Sequence, residues 1–486
     1  MSGHYKIDPS ESEGNIDQNK REYGDGYDAL QWIDGAKVDQ ARTERADLIG
    51  ELVSRGVLFS HGGTKLDVRR LSPGCRACGS GNWSCLFING ICNMRCFYCP
   101  TGQAAEEVPQ TNTVPFADPR DYADYLERFG FTGVSMSGGE PLMTYEKTLR
   151  YIRMVRQHLG DKVHLWMYTN GTLTSEERLH TLRDAGLNEI RFDIGSLGYR
   201  LAPVSLAVGI FDVVTVEIPA IPEDAGLLGD KVSQLKEIGV DYLNLHQLRL
   251  TPYNYRHLSK RNYTFLHGPK VTVLESELTA LKVMLRTLER GIDLPVNYCS
   301  FIYKHTYQKA AARRRGAELI RKPHEGLTDT GLIRNLSIRG SADDISACTD
   351  RLAGIPGAEG LWSLESGKER LRFNASLWRH IDFTRVALIV RYDITAITPE
   401  LSYGYVFKTV ELNKRRKIYV ERRPLGPETV LARDAIECFG RNFLGHETGT
   451  GAVQGATHPD TSEEAQRVLA GLARFETYPE GLAHYY

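Results

Sequence analysis

At 486 residues, with 41% apolar and 25% charged side chains, the chain has a globular composition and the length of two or three domains. Its formal net charge of -1 excludes a dedicated polyanion binder, although local basic patches remain compatible with it. No apolar run reaches the roughly 18–20 residues of a membrane span. The polar, acidic N-terminus also lacks the apolar core of a signal peptide, so a cytoplasmic protein with no membrane contact is expected.

Residues 1–26 are rich in Ser, Glu, Asp, Asn and Gly and read as a disordered tail. Residues 27–84 form an N-terminal extension. It holds a helix over 38–56, where apolar residues recur at helical spacing up to a Gly stop, and a Gly-rich, Cys-containing loop over 60–82. From residue 85 strands and helices alternate. Strands are predicted over 85–90, 133–139, 162–171, 189–195, 212–222, 241–248 and 294–300. Helices are predicted over 118–130, 144–160, 175–186, 226–239 and 273–291, the third opening on the N-cap Ser175 and closing on Gly186. Such a run of βα units builds a parallel sheet. A closed eight-stranded barrel needs one more unit, so the expected fold class is α/β, a partial (β/α)6-type parallel barrel over 85–304. In either an open or a closed sheet the chemistry sits at the C-terminal strand ends. From 305 to 486 the alternation breaks, and a basic helix, strands over 385–398 and 415–423 and two late helices read as a smaller C-terminal α+β domain.

Nine cysteines are present, and six of them (Cys75, Cys78, Cys85, Cys92, Cys96 and Cys99) fall within 75–99. In a long chain without an export signal, that crowding points to metal rather than disulfides. Cys92, Cys96 and Cys99 follow the first barrel strand with the spacing C-x3-C-x2-C. Three thiolates can hold three irons of a cubane [4Fe–4S] cluster, which normally takes four cysteines, and the remaining iron is then open to another ligand. A zinc ion would instead want a fourth thiolate or imidazole. The next strand runs into SMSGGEPL, placing Gly138, Gly139 and Glu140 at its end. Glycines admit close backbone approach, and the Glu140 carboxylate is a partner for a cationic ammonium. The third strand ends in YTNG, where Asn170 can meet carboxylate or ribose oxygens.

In this order, on consecutive strand ends, these residues resemble the radical S-adenosylmethionine (SAM) superfamily over roughly residues 85–250. The resemblance implies that Cys92, Cys96 and Cys99 bind a [4Fe–4S] cluster whose open iron takes the amino and carboxylate groups of SAM. One electron then cleaves the sulfonium and yields a 5′-deoxyadenosyl radical that abstracts hydrogen. It further implies that the backbone of Tyr98 meets the adenine, that Gly138, Gly139 and Glu140 meet the methionine amino group, and that Asn170 lies near ribose or carboxylate. Asp193 and Arg191 become polar groups inside the barrel. The implied partners are a flavodoxin- or ferredoxin-like electron donor and a small-molecule or peptide substrate. Alternatives are an activase or RNA-modifying enzyme on a macromolecular substrate, and a non-catalytic iron–sulfur protein. Residues 74–100 and 296–315 also resemble a family related to pyruvate formate-lyase activating enzyme. The long segment beyond the barrel departs from the short true activases.

Cys75 and Cys78 have metal-ligand spacing. With Cys299, and with Cys85 or a histidine, they are candidates for a second metal or cluster. The alternative is free thiols, and for Cys299 and Cys85 ordinary packing. His246 reads either as a core histidine or as a neighbour of the substrate. The basic runs Arg313–Arg315 and 414–417 read as solvated faces, or as a grip on a phosphorylated or polymeric substrate. Nucleic acid is therefore a secondary expectation.

Overall fold

The computed structural model describes residues 9–103, 105–448 and 462–478. The chain forms two compact units. The larger contains Pro9–Gln308 with Leu412–Arg416; the smaller contains Lys309–Glu411 and Lys417–Pro479.

The larger unit is built on seven parallel strands, β1 (Trp83–Asn89), β2 (Gly133–Gly138), β3 (His164–Thr169), β4 (Glu189–Phe192), β5 (Val213–Pro219), β6 (Tyr242–His246) and β7 (Val296–Cys299). They lie side by side in chain order, each joined to its neighbour in parallel register. The parallel sheet read from the sequence is present, and its seven strands fall where the seven predicted ones lie. Its path is open. The hairpin Phe59–Ser60/Lys65–Leu66 pairs with β7, and the hairpin Gln110–Thr111/Val114–Pro115 pairs with β1.

Helices occupy the crossovers, as parallel pairing requires. They include α4 (Pro119–Arg128), α5 (Tyr145–Leu159), α6 (Glu176–Asp184), α7 (Ala225–Glu237) and α8 (Leu274–Glu289), preceded by α1 (Pro9–Tyr23), α2 (Gly35–Ser54) and α3 (Pro73–Gly79). Their starts are written locally. Asp118 caps α4 by accepting from the Arg120 backbone, ahead of a proline in the first turn. Ser175 caps α6 ahead of Glu176 and Glu177, which suit the positive end of the helix.

The two faces of the sheet differ in chemistry. One carries Leu86, Val134, Met136, Leu165, Met167, Ile190, Val216, Leu243 and Leu245, all buried. Tyr122 of α4 meets Ser84 of this face at 3.1 Å. The other face carries the alternate residues. Trp166 pairs with Glu189, and Tyr168, Arg191 and Thr215 stand in register. Glu217, Asn244 and Asn297 form a further row, with His246 beside Cys299. Side chains alternate across a strand, so a single sequence period separates an apolar packing face from a polar inner one. Helix α3 lies on the inner face. A Cβ at Gly74 would meet the Arg191 guanidinium at 2.3 Å and Trp166 at 3.2 Å, so glycine is required for this approach.

The N-terminal segment corrects the expected disordered tail. Residues 1–8 lie outside the described residues, but Pro9–Tyr23 is the helix α1. Asn19 is buried and donates to Gly268 at 3.4 Å, Lys270 pairs with Glu22 at 2.6 Å, and the Tyr23 hydroxyl donates to the Leu250 carbonyl at 3.0 Å. Composition missed this because the anchors are polar side chains bonding to residues about 250 positions away.

The smaller unit is α+β. Its antiparallel sheet is built around β8 (Ile333–Arg339), β9 (Trp362–Leu364), β10 (Arg370–Phe373), β11 (Ala387–Thr398), β12 (Val406–Glu411) and β13 (Lys417–Pro424), in the order β9-β10-β8-β11-β13-β12. Gly326–Leu327 adds to β8 and Thr429–Leu431 to β11. Its core joins Leu336, Ile338, Leu388 and Val390 to Leu352, Phe439, Leu444 and Leu469 of the flanking helices. Arg313 and Arg314 donate to the carbonyls of Thr330 and Thr328. Two members of that basic run therefore hold a turn within this unit.

Candidate active site

The cysteine loop leaves the C-terminal end of β1. Its first half is clamped by the turn after β2. The Gly139 amide donates to the Asn89 carbonyl at 2.9 Å, and the Glu140 amide donates to the Ile91 carbonyl at 2.7 Å. The glycines are needed for this contact. A Cβ on Gly138, whose φ is +137°, would stand 2.3 Å from the Asn89 oxygen; one on Gly139 would stand 2.0 Å from the Ile91 oxygen. Both distances are far inside van der Waals contact. The chain's own backbone thus makes a close approach at both glycines.

Glu140 also makes contacts within the protein. It is fully buried. One carboxylate oxygen accepts from the Leu142 amide at 3.0 Å and the Thr169 hydroxyl at 2.9 Å; the other accepts from the Asn170 amide at 2.7 Å. The side chain ties the end of β2 to the end of β3. Burial pushes its carboxyl up to about 6, against the donors that hold it down.

Asn170 continues the clamp. Its side-chain amide donates to Asn93 at 2.8 Å and points at the Cys92 sulfur at 3.7 Å, while its oxygen accepts from the Thr172 amide at 2.9 Å. Asn170 therefore orients the cysteine loop. The Cys92 sulfur also accepts from the Met94 amide at 3.4 Å.

The second half of the loop is held by aromatics. Phe97 and Tyr98 pack against the cluster of Leu250, Leu258, Tyr263 and Phe265. The Arg261 guanidinium lies 3.6 Å from the Phe97 ring centroid. The Tyr98 hydroxyl donates to both oxygens of Asp193 at 2.9 Å, and the Tyr98 carbonyl accepts from Asn254 at 3.2 Å. Burial raises Asp193 to about 6 although the Tyr98 bond opposes it. Asn93, Asn254 and Arg261 carried no motif signal, since each acts through a contact between segments distant in sequence.

All three loop cysteines are free thiols and half-buried. Burial, then the charge of Asp193, pushes Cys96 up to about 12. Among the described residues, the three ligating atoms that come within 4.8 Å of one another belong to Asp124, Glu127 and His158. At least two of the loop sulfurs therefore stand more than 4.8 Å apart, beyond the about 4.6 Å that two Zn–S bonds of about 2.3 Å span. A donor set of three spaced sulfurs suits the separate corners of a cubane.

The rest of the inner face is charged. Arg191 is buried. It donates to Glu189 at 2.8 Å, Glu217 at 2.6 Å and the Ser72 hydroxyl at 3.0 Å, and its guanidinium lies 5.0 Å from the Trp166 ring centroid. Burial opposes ionisation of Glu189, but Arg191 and His164 hold it down at about 2. Burial, reinforced by Lys304, drives His246 down to about 3, so its ring is neutral at pH 7.

Residues 86–203 match the family model described as the Radical SAM superfamily. A protein of Methanocaldococcus jannaschii named for a proposed role as a glycyl-radical enzyme activating enzyme is 28% identical over 300 residues, covering 58% of this chain and 78% of that protein. A GTP 3′,8-cyclase of Rhodopirellula baltica is 34% identical over 111 residues, 23% of this chain and 30% of the cyclase. The solved structure of Streptococcus suis SuiB bound to S-adenosylmethionine overlays with a TM-score of 0.35 at 12% identity, over 60% of this chain and 61% of that one. Among the described residues, no helix is long and apolar enough to cross a membrane. The family match spans the cysteine loop, the glycine turn and the strands between them, so residues 86–203 are a radical SAM domain.

Proposed function

We propose that Cys92, Cys96 and Cys99 hold a [4Fe–4S] cluster, that SAM binds its open iron, and that the enzyme abstracts hydrogen from a small-molecule or peptide substrate. When bound, the pair supplies one-electron cleavage of the sulfonium and hence a 5′-deoxyadenosyl radical. The observation that carries this reading is the clamped loop, with three spaced thiols fixed to the ends of β1, β2 and β3 by Gly139, Glu140 and Asn170. The chain's own work is positional. Glu140 and Asn170 set the loop, Tyr98 and Asp193 fix its second half, and the polar inner face is left to receive substrate. We further take the open sheet to curve as a partial barrel over that face, with a ferredoxin- or flavodoxin-like protein as the electron source.

A second reading, activation of a partner protein as a glycyl-radical enzyme, is favoured by the M. jannaschii relative, most of which the match covers. Anaerobic reconstitution, reduction and chromatography test both. Cys96→Ala is expected to abolish 5′-deoxyadenosine formation; wild-type rates from that variant, or no cleavage under any reductant, would overturn the proposal. A glycyl-radical signal on a second polypeptide selects the second reading, and 5′-deoxyadenosine release triggered by a metabolite or peptide selects the first.

A further inference from the structure

A second set of thiols gathers on the inner face. Cys75 and Cys78 sit three residues apart on α3, hence on one side of that helix. Cys299 ends β7, in register with Lys65 of the flanking hairpin. Every one of these sulfurs meets a polar donor. Asn244 donates to Cys75 at 3.2 Å, Gln308 donates to Cys78 at 2.8 Å, and Lys65 and Asn297 donate to Cys299 at 2.7 and 3.6 Å. The Tyr303 hydroxyl stands 3.7 Å from Cys78. Lys65, Asn244, Asn297 and Tyr303 are all buried.

A buried structural cysteine packs as a small hydrophobe and asks for no such company. Four donors turned on three sulfurs, with a buried lysine among them, form an environment for negative charge on sulfur. Cys85 stays apart, bonding to Ser135 and Ser137 instead. At least two of these three sulfurs stand more than 4.8 Å apart, beyond the about 4.6 Å that two Zn–S bonds of about 2.3 Å span.

We propose that Cys75, Cys78 and Cys299 are the protein ligands of a second iron–sulfur cluster, separate from that of Cys92, Cys96 and Cys99. Asn244, Gln308 and Asn297 donate to its sulfur ligands, and Lys65 offsets its negative charge. A cubane held by three cysteines would keep one iron without a cysteine ligand, which could serve an electron relay or a substrate heteroatom.

The test is anaerobic iron and sulfide analysis, with electron paramagnetic resonance, on three proteins: wild type, the triple variant Cys92→Ala/Cys96→Ala/Cys99→Ala, and Cys75→Ser/Cys78→Ser. About eight irons are expected in wild type and about four in each variant. The signal surviving in the triple variant is expected to ignore added SAM, and that surviving in Cys75→Ser/Cys78→Ser to respond to it. Lys65→Met should shift the midpoint of the second signal to lower potential, because a cation beside a cluster favours its reduced form. About four irons in wild type, all lost in the triple variant, would overturn the proposal and leave the first site standing. One zinc without sulfide in the triple variant would also overturn it. Four irons that persist in the triple variant and vanish in Cys75→Ser/Cys78→Ser would support the second site and sink the first. Should a variant fail to fold, the wild-type iron count still decides.

Discussion

Gly139→Ala isolates the clamp on the cysteine loop. Gly139 is not in the left-handed region, so its requirement is space alone. The added methyl would stand 2.0 Å from the Ile91 oxygen and 2.4 Å from its carbon, both backbone atoms that cannot rotate away. Relief means moving the loop and stretching the bond from the Glu140 amide to the Ile91 carbonyl, now 2.7 Å. Overpacking costs about 1–3 kcal/mol and a lost backbone bond about 0.5–1.5 kcal/mol, so a local loss of about 2–4 kcal/mol is expected. Gly226→Ala, with nothing within 4 Å of its Cβ and a place in α7, is the matched control and should be neutral or stabilising. The assay is iron retained after anaerobic reconstitution and desalting, with chemical denaturation of both variants. Gly139→Ala should lose most of its SAM-responsive cluster. Loading and unfolding equal to wild type would refute the claim that this turn positions the loop.

Three further outcomes follow from the geometry. Asn170→Ala removes bonds to Asn93 and Thr172; it should cost about 1–2 kcal/mol and lower cluster occupancy while leaving the iron of the Cys75 set in place. Asp193 has a folded-state value raised by burial to about 6 from 3.8. Between about pH 4 and 6 the folded chain therefore holds the extra proton, so stability falls as pH rises through that window, and Asp193→Asn should flatten the slope in urea titrations. Glu189 is the opposite case, held at about 2 against 4.5. Its contribution is complete above pH 4.5 and fades as pH falls towards 2, and Glu189→Gln at pH 7 should cost about 3–5 kcal/mol because Arg191 loses a buried partner.

The alternation of strands and helices was legible because each βα unit carries its own period and stop, as Ser175 and Gly186 do for α6. The cysteine triplet was legible from spacing. The purpose of its companions was not. Gly138, Gly139, Glu140 and Asn170 make backbone and loop contacts within the protein, which a strand-end motif does not reveal. The order of α1 was hidden because polar anchors such as Asn19 and Glu22 look solvated until their distant partners are known. Cys299 joined Cys75 only through the pairing of β6 with β7 and the bond from Asn244, a relation set by topology.

The contrast between the two faces of the parallel sheet also polices assembly. Were one strand to slip by a single residue during folding, Glu189 and Arg191 would exchange places with Ile190 and Phe192, driving an ion pair under the helices and turning hydrocarbon toward the polar side. Such an error is rejected by electrostatics long before any side chain is finely packed. The charged rows that prepare a chamber for chemistry thus also act as alignment marks for the strands that build it.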